Sequence, residues 1–431
     1  MRTFRKYLTL FFILCLTLGL ASHPTTSVRA QGGPASPEGL LNPDGTLNLD
    51  GSFSGVLDLE GWKVTMDPVQ GPIFSQANPP ALGEWENLGE GGSALNYYVS
   101  SIALVGTDVY VGGGFTNADS IASADYVAMW DGSAWHSLGS NGAGGGSLNR
   151  TVYALYFDGN YLYAGGDFTD VNNHGTVLNA ADYIARWDGA NWSSLSSNGA
   201  GNGAIGNGDV RAIVDDGQYV YIGGRFTNVN NNGAVLHEAD YVVRWDGTNW
   251  AALGNNGSGV GALNNYVYAL AVHGTDLYAG GTFTNAGGNA KADYLSKWNG
   301  SAWSELGNNG AGDGAIDQAG SAVYALAVDA AGNLYAGGNL SNVNNGATNM
   351  PDAGSFIKWD GADWSAVGTN GITPSIQGTV QAIAIDPSNQ NVYVGGYFTN
   401  VNNQGSILST ADRIAKWDGS NWSGLGDNGG G

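Results

Sequence analysis

From residue 85 onward, apolar and polar positions follow one motif again and again. An alternating apolar stretch, Val152-Tyr153-Ala154-Leu155-Tyr156-Phe157 in one copy, is followed by a turn signal, Asp158-Gly159-Asn160. A second apolar run, Leu162 to Ala164, ends in Gly165-Gly166, and a long Asn/Gly stretch then leads to a third run ending at Trp187. Asp188-Gly189-Ala190-Asn191 separates it from a fourth run that starts at Trp192. Period-two patterning with Asp-Gly and Asn-Gly punctuation predicts four short antiparallel strands per unit. Trp187 and Trp192 then face each other across a tight hairpin, and cross-strand aromatic pairs of this kind add about 0.5 to 1.5 kcal/mol beyond burial.

First strands begin at Val99, Val152, Val210, Val267, Val323 and Val380, and glycine pairs follow at Gly112, Gly165, Gly223, Gly280, Gly337 and Gly395. Third strands end at Trp130, Trp187, Trp245, Trp298, Trp359 and Trp417; fourth strands start at Trp85, Trp135, Trp192, Trp250, Trp303, Trp364 and Trp422. Of the 14 tryptophans only Trp62 falls outside this scheme, so tryptophan is a repeat element here. Units recurring every 53 to 61 residues with four strands each predict an all-β chain forming a single β-propeller of four-stranded blades. Seven blades are favoured, the first irregular and drawn from residues 46–84; six is the alternative, with that region as a cap. The glycine pairs fit a bulge or a close backbone approach, and the alanines of the first strand suit a crowded innermost position.

An apolar strand ending in Gly-Gly and followed by two tryptophans resembles the kelch motif of β-propellers, the group that includes the central domain of galactose oxidase. The chain is also similar to secreted bacterial proteins repeating YxGGxFT and IAxWDGxxW. The resemblance runs from Trp85 to Gly431. It departs from the usual pattern in its invariant first Trp and its lengthened Asn-rich interval. Because kelch-type propellers serve as enzymes, adhesins and scaffolds, the resemblance implies a fold and leaves function open.

The N-terminal residues read differently. Arg2, Arg5 and Lys6, the apolar stretch Leu8 to Leu20, and Val28-Arg29-Ala30 predict a secretory signal over residues 1–30. Residues 31–45 read as a flexible lead-in and 46–84 as irregular strands. With the leader go four bases, Arg29 included, no acids, and the only cysteine, Cys15; the net charge moves from -22 to -26. Such a balance opposes nucleic acid and anionic membranes, and no later segment is apolar enough to span a bilayer. A secreted or cell-surface monomer is expected.

Antiparallel alternation puts both tight turns on one face and predicts that both long connections, 169–182 within a blade and 198–209 between blades, share the other. That long-loop face is the expected binding surface. Candidate ligand contacts on it are Asn172, Asn173, His174, Arg225, Asn230, Asn231, His237, Asn402 and Asn403. Asp182, Asp240 and Asp412 follow the Asn-rich stretches, and such oxygen-rich side chains suit calcium; turn capping is the competing role. No other cofactor is expected.

No nucleophile elbow occurs, and His136, His174, His237 and His273 occupy different repeat phases. The sequence therefore favours a non-catalytic propeller binding a protein or glycan. The alternatives are an extracellular carbohydrate-active hydrolase or lyase, which needs two carboxylates at the channel mouth, and a structural repeat array of a surface protein.

Overall fold

The structure is a computed structural model, and it describes residues 94–425, residues 41, 42, 46 and 88, and strands Trp62–Asp67 and Gly71–Gln76. The chain divides into two units, Met1–Trp85 and Glu86–Gly431. In the first, the two strands pair antiparallel, Trp62 opposite Gln76. The leader, the lead-in apart from residues 41 and 42, and the Trp85 strand lie outside the described residues.

Among the described residues the second unit contains six four-stranded antiparallel sheets, the blades of a β-propeller. Six is the alternative count, and it replaces the seven favoured from the sequence. Of residues 46–84, expected to supply a seventh sheet, the described strands Trp62–Asp67 and Gly71–Gln76 pair with each other as a two-stranded ladder among the described residues. Inner strands run Val99–Val105, Val152–Phe157, Val210–Asp215, Val267–His273, Ala322–Val328 and Gly378–Ile385 in blades one to six. In blade two the remaining strands are Leu162–Gly166, Ile184–Trp187 and Trp192–Ser193. Among the described residues there is no α-helix, and no helix long and apolar enough to cross a membrane.

The repeated residues do what their chemistry dictates. Trp187 is registered opposite Trp192 with ring centroids 5.4 Å apart, and the other five blades keep the same pair. Asp188 Oδ1 accepts hydrogen bonds from the Ala190 and Asn191 amides, which hold its carboxyl below the usual range. Trp192 Nε1 donates to Leu138 O of the preceding blade at 2.7 Å, and Trp303 and Trp364 do the same to Leu253 O and Leu306 O. These buried bonds join the outer strands of blades two, four and five to the preceding blade across fifty or more residues of sequence, whereas Trp250 Nε1 of blade three is buried without a partner among the described residues.

Both expectations for the glycine pair hold. A Cβ on Gly166 would sit 2.1 Å from Thr151 O, and one on Gly165 2.3 Å from Val210 Cγ1 of the next blade. Opposite the pair, every inner strand carries a bulge. Val152 pairs with Gly166 and Ala154 with Gly165, leaving Tyr153 as the extra residue. The bulged residues of the six blades are Ser100, Tyr153, Arg211, Tyr268, Tyr324 and Gln381.

Candidate functional site

The Asn-rich stretches are not open loops. In blades two, three, five and six each folds into a small hairpin, such as Val171–Asn173 against Thr176–Leu178, turning at His174 (φ 52°) and Gly175 (φ 92°). Positive φ at both turn residues is the type I′ geometry whose twist suits a two-residue hairpin. Asn172 Oδ1 accepts from Gly175 N, and Asn230 and Asn402 repeat this with Gly233 and Gly405. Asn173 Oδ1 accepts from Trp192 N at 3.1 Å, as Asn231 does from Trp250 N and Asn403 from Trp422 N. The His174 ring nitrogen Nε2 lies 3.1 Å from Ala190 O, so it donates there.

Ala190 and Trp192 flank the tight turn between third and outer strands. Each hairpin therefore runs along the outer edge of its blade toward the tight-turn face. The inserts thus reach the tight-turn face rather than the opposite face expected for them: Asn173, His174, Asn231 and Asn403 bond the outer turn or strand of their own blade, and Asn172, Asn230 and Asn402 cap the hairpin turn itself. His237 stays exposed, with Nδ1 2.9 Å from Asn228 Oδ1.

The aspartates proposed for calcium are latches. Asp182 accepts from Asp170 N and Gly203 N, Asp240 from Asn228 N and Gly261 N, and Asp412 from Asn400 N. Amide hydrogens point at both oxygens of Asp182 and Asp240 and at one oxygen of Asp412, presenting positive charge where a cation would sit, and no three acidic, histidine or cysteine side chains converge among the described residues. An open cleft of about 390 Å³ lined by Asp125, Asn141, Ser147, Asp170 and Asn172 has the same character. Asp125 accepts from Asn117 N and Gly146 N, and Asn141 from Ala143 N and Gly145 N.

Arg225 is the candidate that leads elsewhere. It follows Gly223-Gly224 at the end of its second strand, beside the start of the inner strand. There Asp209, whose side chain is only 2% exposed, accepts from Arg211 Nε and Nη2 at 2.9 and 3.0 Å. Arg225 Nε lies 2.8 Å from Asp209 Oδ2, and its Nη2 also bonds that oxygen. Burial alone would raise the Asp209 carboxyl; the two guanidinium partners outweigh it and hold the carboxyl below the usual range. The hydrogen bond to Asp209 raises Arg225 in turn.

Aromatic rings extend this cluster on both sides. The Arg211 guanidinium lies 3.7 Å from the centroid of Tyr153 and that of Arg225 5.5 Å from Tyr266. Tyr266 is 6.2 Å from Tyr268, which is 5.2 Å from Tyr324. Four of these groups, Tyr153, Arg211, Tyr268 and Tyr324, are the bulged residues of consecutive inner strands, all partly exposed. Burial, then the charge of Asp167, pushes the Tyr153 hydroxyl up. Asp167 Oδ1 is buried without a hydrogen-bond partner among the described residues. Blades two to five thus present a continuous line of tyrosine faces and guanidinium donors, with one unsatisfied carboxylate oxygen buried beside it. Sequence reasoning missed Tyr153, Arg211, Tyr268 and Tyr324, although all four directly follow the first-strand valine.

No protein-family model and no curated protein matches the chain. Its fold is similar to that of solved β-propellers. The WD40 β-propeller domain of Doa1 is 10% identical, with a TM-score of 0.37, 76% of this chain and 78% of that one covered. YCF48 bound to D1 peptide is 14% identical, with a TM-score of 0.40 and 85% of each chain covered. The GH74 enzyme of Niastella koreensis is 17% identical at a TM-score of 0.42; 78% of this chain matches 46% of that one.

Proposed function

We propose that the chain is a non-catalytic binding propeller that takes a glycan along the bulge line of blades two to five. The observation that carries this reading is the row of the half-buried rings Tyr153, Tyr268 and Tyr324 and the exposed ring Tyr266, interrupted by two arginines on one buried aspartate. A sugar ring offers apolar faces to stack on tyrosine and hydroxyls that both donate and accept. Arg211 and Arg225 supply donors, and the tyrosine hydroxyls both donate and accept. Arg211 and Arg225 are balanced by Asp209 and Asp167, so the cluster carries no net charge in a chain of formal charge -22, which favours an uncharged glycan. We group the repeats with the kelch-like propellers on the spacing of Gly-Gly and the tryptophans, and we place the protein outside the cell on its leader.

Parallel glycan and peptide arrays probed with the wild-type protein and the Tyr268→Ala variant test this. Glycan signals lost in the variant are expected. Signals confined to peptides would replace the glycan by a protein ligand, and no signal on either array contradicts the binding reading.

A further inference from the structure

Five interfaces join the six blades, and each makes the same contact. A Cβ built on Gly112, Gly165, Gly223, Gly280 or Gly337 would lie 2.3 to 2.6 Å from Cγ1 of Val152, Val210, Val267, Val323 or Val380 on the following inner strand. The glycine is a hollow, and the valine is the knob that fills it. All five valines are 0% exposed, and Leu155, Ile213 and Leu270, three residues further on, are 5 to 7% exposed.

At the two ends of the array no described residue covers the same half-interfaces. Gly395 of blade six has no atom nearer than Arg413 O at 3.8 Å and Ala382 Cβ at 3.9 Å among the described residues. Ala382 is exposed, whereas Ala154, Ala212, Ala269 and Ala325 in the same phase are buried. On blade one the corresponding knob, Val99, is 37% exposed, and Ile102 and Leu104 beside it reach 62% and 70%. One chain therefore carries an empty hollow at one end and an unburied knob at the other, the two halves of the contact it makes five times internally.

We propose that blade six of one copy packs on blade one of a second copy, head to tail, continuing the blade-to-blade interface between molecules. The partner is fixed by that continuity: the surface that covers Val99, Ile102 and Leu104 must offer a glycine hollow flanked by alanine, and Gly395 with Ala382 offers it. Because the two patches differ, the contact is heterologous and adds copies in one direction. It departs from the expected monomer, and it is independent of the glycan-binding reading.

Light scattering of the purified full chain should show mass rising with concentration. The variant Ile102→Asp/Leu104→Asp, altered only at exposed positions, and the variant Gly395→Trp should each be monomeric alone, while an equimolar mixture should give a dimer, since each retains one intact face. In a Cys15→Ser background, Val99→Cys mixed with Gly395→Cys should form a disulfide-linked dimer under mild oxidation. A wild type that stays monomeric at every concentration overturns the proposal, as does association that survives both face variants. A chain carrying both cysteines that crosslinks only within itself also overturns it, and shows the chain's own end blades covering each other.

Discussion

The blade interface makes one substitution act in opposite directions at two positions of equal repeat phase. In Gly165→Ala the new methyl would lie 2.3 Å from Val210 Cγ1 and 2.9 Å from Val210 Cβ, both on the inner strand of the next blade. Neither atom can yield without moving that strand, and Val210 is fully buried. Overpacking of this kind costs about 1 to 3 kcal/mol. It outweighs the roughly 0.4 to 1 kcal/mol that alanine contributes by restricting the unfolded chain. In Gly395→Ala no atom of the described residues lies nearer than 3.8 Å, and only the favourable part remains. Urea denaturation followed by tryptophan fluorescence should therefore place the Gly165→Ala midpoint below wild type and the Gly395→Ala midpoint at or slightly above it. Combining Gly165→Ala with Val210→Ala should recover part of the loss, because the knob is shortened where the hollow is filled. Equal midpoints for the two glycine variants would refute the interlocking-blade account.

Three further outcomes follow from the geometry. Asp209→Asn should cost about 2 kcal/mol, less than the 3 to 5 of a fully buried pair because the Arg225 side chain is 39% exposed. The native Asp209 carboxyl titrates below its unfolded value, so its stabilisation is complete above about pH 5 and disappears as pH falls through the folded value; thermal melts of wild type and variant should converge under acid. Trp192→Phe removes the 2.7 Å bond to Leu138 O and leaves a carbonyl unsatisfied, for a loss of about 1 to 3 kcal/mol in denaturant titration. Asp182→Ala should lower the melting temperature by uncapping two amides, whereas chelator leaves the wild-type melting temperature unchanged; a drop on adding chelator would restore calcium to these aspartates.

Most of the blade could be read from the chain because its determinants are local in sequence. Alternation placed the strands, Asp188-Gly189 placed a turn, and Trp187 with Trp192 placed a cross-strand pair. The inserts were misread because His174-Gly175, Asn232-Gly233 and Gln404-Gly405 were not recognised as two-residue hairpin turns between short alternating runs. Once folded as hairpins, their asparagines satisfy backbone amides while most stay partly exposed. Of the site, Arg225 alone was identified. Tyr153, Arg211 and Tyr268 looked like ordinary strand positions, since a one-residue register shift opposite a glycine pair changes no period in the sequence. Asp209 lies at the end of a connection, and its burial depends on arginines 2 and 16 residues away meeting at one carboxylate.

The bulge line is tested most directly by calorimetric titration of the strongest glycan from the array into three proteins: wild type, Tyr268→Ala, and the outer-edge double variant Asn173→Ala/His174→Ala. Loss of one stacking face at about 1.4 kcal/mol corresponds to tenfold weaker binding in Tyr268→Ala, with affinity unchanged in the outer-edge variant. Unchanged binding in Tyr268→Ala with affinity lost in the outer-edge variant would return the site to the Asn-rich hairpins and contradict the account.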